Sequence, residues 1–261
     1  MEDLVCLTCR FQIASPGYHV FDLMPDVPAN RPAAHVIELK REGSKADSFS
    51  NLLLRTIKRV LVGAKGGFLD VGCGAGYYSQ EMFRAEDVLC TGLDIRNAFD
   101  TANAPENYYF VRGDLFSKAL RAESFDGLVS LDVIEHVEDD YAFLGRCFEV
   151  IRGGGVFVIG TPNLNRMASQ LRRLFKGKMD FPFDYGTDPV LGETIHRREY
   201  GYHELLRSFA QFEELIDFHV VPLLFGVRLP NRFGNRTIGI EYPRGVLGRY
   251  CHYWLVYGRK K

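Results

Sequence analysis

Three glycines at alternate positions, Gly72, Gly74 and Gly76, follow Asp70 in the segment FLDVGCGAGYYS. The fingerprint of a dinucleotide-binding turn is G-x-G-x-x-G, which requires glycine at position 77, where this chain has tyrosine. A pyrophosphate gains nothing from a carboxylate two residues before the first glycine, whereas a cationic ligand does. Glycines at 72 and 74 would let the main chain approach such a ligand closely. The segment favours a cationic ligand without phosphates, and a tight turn without any ligand is the alternative.

S-adenosylmethionine fits this description, because it carries an ammonium and a sulfonium group and no phosphate. Asp94 ends the second predicted strand, in TGLDI, where a carboxylate can accept both ribose hydroxyls of an adenosine. Asp114 ends the third predicted strand, in VRGDL, close to the expected position of the adenine. The alternative for Asp114 is an ordinary turn aspartate.

A second group of chemistry-bearing residues, Asp132, Glu135 and His136, follows the fourth predicted strand in SLDVIEHVEDD. Ligands of α/β sheets bind at such strand ends, although a polar loop that caps the next helix is the alternative. S-adenosylmethionine is a methyl donor. If a hydroxyl receives its methyl group, a general base helps to remove the hydroxyl proton, and histidine suits this role at neutral pH. His136 is the first candidate and His196, in ETIHRREY, the second; either could instead orient the substrate.

The elements that must position these residues are short apolar runs alternating with helical segments. This alternation predicts an α/β fold with a mostly parallel sheet covered by helices on both faces. The predicted strands are 67–71, 87–94, 107–114, 124–133, 154–162, one within 212–224 and one within 249–261. The predicted helices are 49–61, 77–86, 139–155, where glycines 153–155 would end the helix, and 201–209.

Composition limits the classes of function. The 261 residues carry a net charge of −1, which argues against a chain built mainly to bind nucleic acid. No apolar run approaches the ~20 residues that span a bilayer. Neither an export signal nor a disulfide framework is visible among the six scattered cysteines, so a cytoplasmic enzyme is expected.

The chain divides into an irregular N-terminal arm, 1–46, and a main domain, 47–261, with an insertion at 163–200 after the fifth predicted strand. The insertion is expected to form a helical cap. Residues 163–178 combine an apolar stripe with basic residues, listed here: Leu164, Met167, Leu171, Leu174, Phe175, Arg166, Arg172, Arg173, Lys176 and Lys178. A lid over the site is the first interpretation, and a surface that touches a membrane or a lipid-linked substrate is the second.

Taken in order, LDVGCGAG, GLD, GDL, FDGLVSLDVIEHV and IRGGGVFVIGTPN resemble the class I S-adenosylmethionine-dependent methyltransferases. The resemblance is closest to the small-molecule branch that includes ubiquinone and menaquinone biosynthesis enzymes. It implies a Rossmann-like sheet of seven strands, the last antiparallel. It also implies these cofactor contacts: Asp70, Gly72 and Gly74 to the methionine half, Asp94 to the ribose, Ile95, Asp114 and Leu115 to the adenine, and the Leu131 carbonyl and Asp132 to the ammonium.

The arm resembles, more faintly, a zinc-ribbon segment that precedes some methyltransferases. That segment has two cysteine pairs, whereas this arm has only Cys6 and Cys9. His19 and His35 could supply two further ligands, but their spacing matches no known zinc site. We therefore expect no metal to be bound, and the arm to be a degenerate relic.

The sequence thus predicts an enzyme that uses S-adenosylmethionine to methylate a small molecule, with oxygen favoured as the acceptor atom. Candidate acceptors are a quinone precursor, a sugar or a secondary metabolite. The alternatives are a dinucleotide oxidoreductase, a non-catalytic module that binds the cofactor, and an RNA or protein methyltransferase. The segment LDVIEH speaks against the nucleic-acid alternative, because amino-methylating relatives often carry an Asn/Asp-Pro-Pro-aromatic motif there.

Overall fold

The computed structural model describes these residues: 4–5, 12–13, 20–22, 48–83, 88–96, 106–167, 169–170, 173, 181–188, 192–228 and 237–261. The expectations for Cys6, Cys9, His19 and His35 lie outside this set. So does much of the basic segment, including Leu171, Arg172, Leu174, Phe175, Lys176 and Lys178.

The strands of the described residues are, in chain order: β1 Leu4–Val5, β2 Gln12–Ile13, β3 Val20–Asp22, β4 Gly66–Val71, β5 Val88–Asp94, β6 Tyr108–Arg112, β7 Phe125–Leu131, β8 Ile151–Pro162, β9 Phe183–Asp188, β10 Gly192–His196, β11 Ile216–Leu223, β12 Phe225–Arg228, β13 Thr237–Ile240 and β14 Tyr253–Lys260. The helices are α1 Ser48–Val60, α2 Tyr77–Phe83, α3 Asp140–Val150, α4 Tyr202–Ala210 and α5 Gly245–Arg249.

The main sheet has the strand order β11-β14-β8-β7-β4-β5-β6-β3. β14 runs antiparallel to both of its neighbours, β8 and β11, while the pairs from β8 to β3 are parallel. Seven of these strands confirm the expected Rossmann-like arrangement with an antiparallel last strand. The eighth, β3, comes from the N-terminal arm and extends the sheet beside β6.

Alternate residues of the central strands pack against helices on opposite faces. Phe68 and Val129 belong to the core that α1 and α2 cover, whereas Leu69 and Leu128 belong to the core that α3 and α4 cover. This alternation follows from the two-residue period of a strand. Because helices cover both faces, a ligand can reach the sheet at the ends of its strands.

The helix expected over 139–155 ends earlier than predicted, at Val150. Ile151 already has extended backbone and pairs with Phe125 in β7, and the glycines lie within β8. The register between β7 and β8 shifts between Phe125 and Gly127, so the glycine segment accommodates a bulge. Pairing with β7 thus outweighs continuation of the helix.

The insertion after β8 contains an antiparallel hairpin, β9 and β10, in addition to helical residues at positions 167, 169, 170 and 173. The hairpin was not predicted, because the aromatic and proline-rich segment before it suggested a loop. It carries His196 at the end of β10. In the described part of the chain, we found no helix long and apolar enough to cross a membrane.

Candidate active site

The glycine turn follows β4 directly and is fixed to β5. The amides of Gly72 and Cys73 both donate to the carbonyl of Leu93, at 2.8 and 3.2 Å. Gly72 has φ +70°, and a Cβ at this position would lie 2.2 Å from Cγ2 of Val133. The turn therefore needs glycine both for its backbone conformation and for contact with the loop after β7.

Asp94 lies at the carboxyl end of β5 with its carboxylate held by the main chain. Its Oδ2 accepts from the amide of Gly74 and its Oδ1 from the amide of Arg96, both at 2.8 Å. A carboxylate has about four acceptor positions, so two remain for a ligand diol. The neighbouring Ile95 is 52% exposed, which leaves an apolar surface beside this carboxylate.

Asp70, in contrast, is buried and bonded within the protein. Its Oδ2 accepts from the hydroxyl of Tyr108 at 3.2 Å, and Tyr108 shares a 2.8 Å hydrogen bond with Ser79. Burial raises the pKa of Asp70 to about 6, and the bonds from Ser79 and Tyr108 oppose this rise. This carboxylate therefore stabilises the region beneath the turn.

The segment after β6 presents a different side chain from the one expected. Asp114 is exposed, and its Oδ1 accepts from the amide of Phe116 at 2.8 Å, which forms a tight turn. Leu115, expected against the adenine ring, is 6% exposed and packs into the core. Phe116 is 55% exposed, so it is the apolar side chain that this edge offers to a ring.

Leu131 and Asp132 lie at the end of β7, as expected. Asp132 has φ +57°, an uncommon conformation for a residue other than glycine, and its amide donates to the carbonyl of Gly160 at 3.0 Å. It stays accessible to solvent, yet the surrounding protein desolvates the carboxylate enough to raise its pKa to about 6. Tyr253, His196 and Arg166 oppose that rise.

The structure brings the two candidate histidines together, although they are about 60 residues apart in the chain. The ring centroids of His136 and His196 are 4.8 Å apart, and the rings are nearly perpendicular. Nδ1 of His136 lies 2.8 Å from the carbonyl of Ile195. The amides of Arg197 and Arg198 donate to the carbonyl of Glu135, so backbone bonds tie the hairpin to the loop after β7.

His196 is held by two residues that the sequence analysis missed. Nδ1 of His196 lies 3.0 Å from Oε1 of Glu199, whose carboxylate is fully buried. Arg166 binds both oxygens of Glu199, at 2.6 and 3.0 Å. A carboxylate three residues after a histidine was the available sequence signal, but the arginine 33 residues earlier gave none.

This ion pair also bears on the basic segment. The Arg166 side chain is 13% exposed and binds Glu199, so this ion pair joins the two ends of the insertion. The membrane interpretation of 163–178 depends mainly on residues outside the described set and stays a prediction.

Glu135 completes the group and is fully buried. Its Oε2 accepts from the hydroxyl of Thr161 at 2.9 Å. Its Oε1 is buried without a hydrogen-bond partner among the residues that the structure describes. Burial, together with the nearby charge of Asp132, raises the pKa of Glu135 well above its ordinary range. Burial also lowers the pKa of His136, so this imidazole favours its neutral form.

Comparison with known proteins gives the same assignment as this geometry. Residues 69–159 match the family described as a methyltransferase domain. A probable S-adenosylmethionine-dependent methyltransferase of Mycolicibacterium smegmatis is 37% identical over 186 residues, which are 68% of this chain and 64% of that protein. A ubiquinone biosynthesis O-methyltransferase of Parvibaculum lavamentivorans is 35% identical over 101 residues, 37% of this chain and 40% of that protein. The matches thus span less than two thirds of these relatives.

Among solved structures, an S-adenosylmethionine-dependent methyltransferase of Thermotoga maritima superposes with a TM-score of 0.57 at 17% identity. The superposition covers 88% of this chain and all of that one, and at this identity it concerns the fold. The strand order, the glycine turn at 72–76 and the sequence match agree. By these matches, residues 69–159 resemble the methyltransferase-domain family, and the sheet has the fold of S-adenosylmethionine-dependent methyltransferases.

Proposed function

We propose that this chain transfers the methyl group of S-adenosylmethionine to a hydroxyl oxygen of a small molecule. The observation that carries the proposal is the meeting of His136, in the loop after β7, with His196, at the end of β10. In class I methyltransferases the strand end that corresponds to the end of β7 adjoins the cofactor's methionine half, so a proton acceptor here would face the methyl group.

The cofactor would lie along the ends of β4, β5, β6 and β7. Gly72 and Gly74 would allow close approach of the main chain to the methionine half, with Asp70 supporting the turn from below. Asp94 would accept the ribose hydroxyls, since two of its acceptor positions remain. Ile95 and Asp114 would contact the adenine, with Phe116 replacing Leu115 against its ring. The carbonyl of Leu131 and the carboxylate of Asp132 would hold the ammonium.

The reaction is a displacement at carbon. The acceptor oxygen forms a bond to the methyl carbon while the bond from that carbon to sulfur breaks, and the sulfonium leaves as a neutral thioether. Either His136 or His196 can take the hydroxyl proton, because a neutral imidazole has one basic nitrogen. The protein supplies position and an environment of low water content, while the cofactor supplies the leaving group.

The cofactor half of the proposal is tested by calorimetric titration of S-adenosylhomocysteine and of NAD. We expect the first to bind and the second not. Asp94→Asn should weaken S-adenosylhomocysteine binding roughly tenfold or more, since a hydrogen bond to a charged group contributes about 1.5–3 kcal/mol. Asp217→Asn is the matched control, because Asp217 is an exposed strand aspartate paired with Lys261. Selective binding of NAD would overturn the proposal.

The transfer half is tested by label transfer from tritiated S-adenosylmethionine to polyphenols, sugars, amines and RNA. We expect label in the products of hydroxyl-bearing small molecules, and slower transfer by His136→Gln and His196→Gln without loss of cofactor affinity. Label in amines or RNA alone would contradict O-methylation of a small molecule. A blank across all acceptor classes, with cofactor binding intact, would indicate a non-catalytic module.

A further inference from the structure

Glu135, His136 and His196 form a cluster in which one ligand atom from each residue lies within 4.8 Å of the others. Among the described residues, this is the one group of three or more His, Cys, Asp or Glu side chains with that geometry. We call it the two-histidine cluster. It combines two imidazoles and one carboxylate, which are ligand types for divalent transition metals.

Both imidazoles are oriented by bonds at Nδ1. A carbonyl oxygen can only accept, so Nδ1 of His136 donates its hydrogen to Ile195. Nδ1 of His196 lies 3.0 Å from Oε1 of Glu199, whose two oxygens accept from the Arg166 guanidinium, so a donated hydrogen at Nδ1 fits this contact. In each neutral ring Nε2 is then the nitrogen that carries the lone pair. Metal-binding histidines show this arrangement, with the second ring nitrogen donating to a carboxylate or a backbone carbonyl.

The carboxylate of Glu135 gives an independent observation. It is completely buried, and its Oε1 has no hydrogen-bond partner within the described residues, while Thr161 occupies Oε2. A buried polar atom without a partner costs free energy unless something satisfies it. A cation between Glu135 and the two imidazoles would satisfy this oxygen without any change of fold.

We propose that Glu135, His136 and His196 bind a divalent transition-metal ion of the zinc class, which leaves coordination positions open for an acceptor oxygen. Ligand atoms around such an ion are ~3.4 Å apart when bonds of about 2.1 Å are arranged tetrahedrally. The present spacing of up to 4.8 Å exceeds this value, so the three side chains would have to approach one another by up to about 1.4 Å to ligate one ion. Sequence reasoning assigned no metal here, because His196 joins the cluster only through the hairpin.

The role of this ion rests on the proposed function. An ion at this position would act as a Lewis acid on the acceptor hydroxyl, lowering its pKa so that the proton leaves to solvent before the oxygen attacks the methyl group. The acceptor class narrows accordingly to hydroxyls able to ligate a metal, with phenols and vicinal diols foremost. With the ion bound, His136 and His196 would hold it and the proton would leave to solvent; without the ion, either imidazole would take the proton as described above.

The test is a titration of the chelator-treated full chain with Co²⁺, followed by absorption spectroscopy, and with Zn²⁺, followed by elemental analysis after dialysis. A Cys6→Ser, Cys9→Ser background removes the arm's thiolates, whose charge-transfer band would otherwise report a different site. We expect about one ion per chain with a cobalt spectrum typical of nitrogen and oxygen ligands. Glu135→Gln and His196→Gln should each lower the affinity at least roughly tenfold.

Glu199→Gln should also lower the metal affinity roughly 10–100-fold, because Glu199 orients His196 without touching the ion. His203→Gln, an exposed histidine on α4, is the control and should leave the affinity unchanged. Calorimetry with S-adenosylhomocysteine on each preparation shows that the variants are folded. If the chain binds no ion, or if the cluster variants bind as well as the control, the metal site is refuted.

These outcomes separate the two proposals. Intact cofactor binding and label transfer after complete removal of metal would refute the catalytic role of the ion and leave the methyltransferase proposal standing, while absence of metal binding by the chain would refute the site itself. Stoichiometric metal binding by a chain that neither binds the cofactor nor transfers label would refute the proposed function and leave the metal site standing.

Discussion

At the scale of single residues, Gly72 is subject to two constraints, a left-handed backbone conformation and a close contact with Val133. Gly63 is subject only to the first. Gly72 and Gly63 have similar backbone conformations, with φ +70° and +75°. A Cβ on Gly63 would meet nothing within 4 Å, whereas one on Gly72 would collide with Val133. The pair therefore distinguishes backbone strain from the close approach between the glycine turn and the loop after β7.

We expect Gly63→Ala to lower the free energy of unfolding by roughly 1 kcal/mol, the cost of left-handed backbone with a Cβ. Gly72→Ala should cost roughly 2–4 kcal/mol, because the collision adds to that strain, and should weaken S-adenosylhomocysteine binding as well. Urea denaturation and calorimetry measure the two effects. An equal loss of unfolding free energy in both variants would show that the contact with Val133 does not contribute to stability.

The residues that the sequence predicted depend on local patterns, whereas those that it missed depend on contacts between distant parts of the chain. The position of Asp94 at the end of β5 was predictable because a strand end is a local property, and Gly74, which donates to it, lies in the motif itself. The contact between Glu199 and Arg166 was not predictable, because it joins the two ends of the insertion, 33 residues apart. Leu115 was expected against the adenine, but its side chain is buried in the core and the neighbouring Phe116 is the exposed one.

At the scale of elements, α3 supports the segment after β6. The Arg146 guanidinium donates to the carbonyls of Leu115, Ser117 and Leu120, so it fixes the chain that carries Asp114 and Phe116. At the opposite end of the sheet, Arg152 binds the carbonyls of Glu123 and Ser124 in the same manner. Arg146 thus supports the segment after β6 that is proposed to contact the adenine, whereas Arg152 supports a segment remote from it.

Arg146→Met should lower the free energy of unfolding by roughly 2 kcal/mol, because several bonds from a charged group are lost. It should also weaken S-adenosylhomocysteine binding, since the adenine edge loses its support. Arg152→Met should destabilise the protein without changing that affinity. Calorimetry on both variants checks the difference, and an equal loss of affinity would rule out a local role for Arg146.

The elements themselves were largely predictable, since each central strand is an apolar run followed by a helix with its own period. The hairpin β9 and β10 was not, because its sequence, rich in glycine, aspartate and aromatic residues, lacks the strict alternation that predicts a strand. The early end of α3 was missed for a related reason. Helix and strand meet there without a turn, at Val150 and Ile151, and pairing with β7 decides the boundary.

At the scale of the whole molecule, the buried carboxylate of Asp70 links stability to pH. Its pKa rises from 3.8 to about 6 on folding, so the folded state binds the proton more tightly than the unfolded state. The stability that this group contributes is fully present below about pH 4 and is lost as the pH rises through 6. The difference corresponds to roughly 3 kcal/mol.

Asp70→Asn should therefore remove this part of the pH dependence. We expect the free energy of unfolding of the wild type, relative to the variant, to fall by up to roughly 3 kcal/mol between pH 4 and pH 7. Urea denaturation at several pH values measures this difference, in which the contributions of other carboxylates cancel. A difference that stays constant with pH would show that Asp70 titrates normally in the folded state.

The position of β14 between β8 and β11 has a consequence for biosynthesis. β11 is translated before β14, yet β11 joins the rest of the sheet only through β14, which lies between β11 and β8. From the end of β8 to the start of β14 the ribosome adds about 90 residues, which takes roughly 5–18 s at 5–20 residues per second. During that interval the edge of β8, with its buried Phe157 and Ile159, has no partner strand. Until residues 253–260 arrive to pair with β8, the nascent chain therefore exposes an unpaired strand edge that can bind other chains or chaperones.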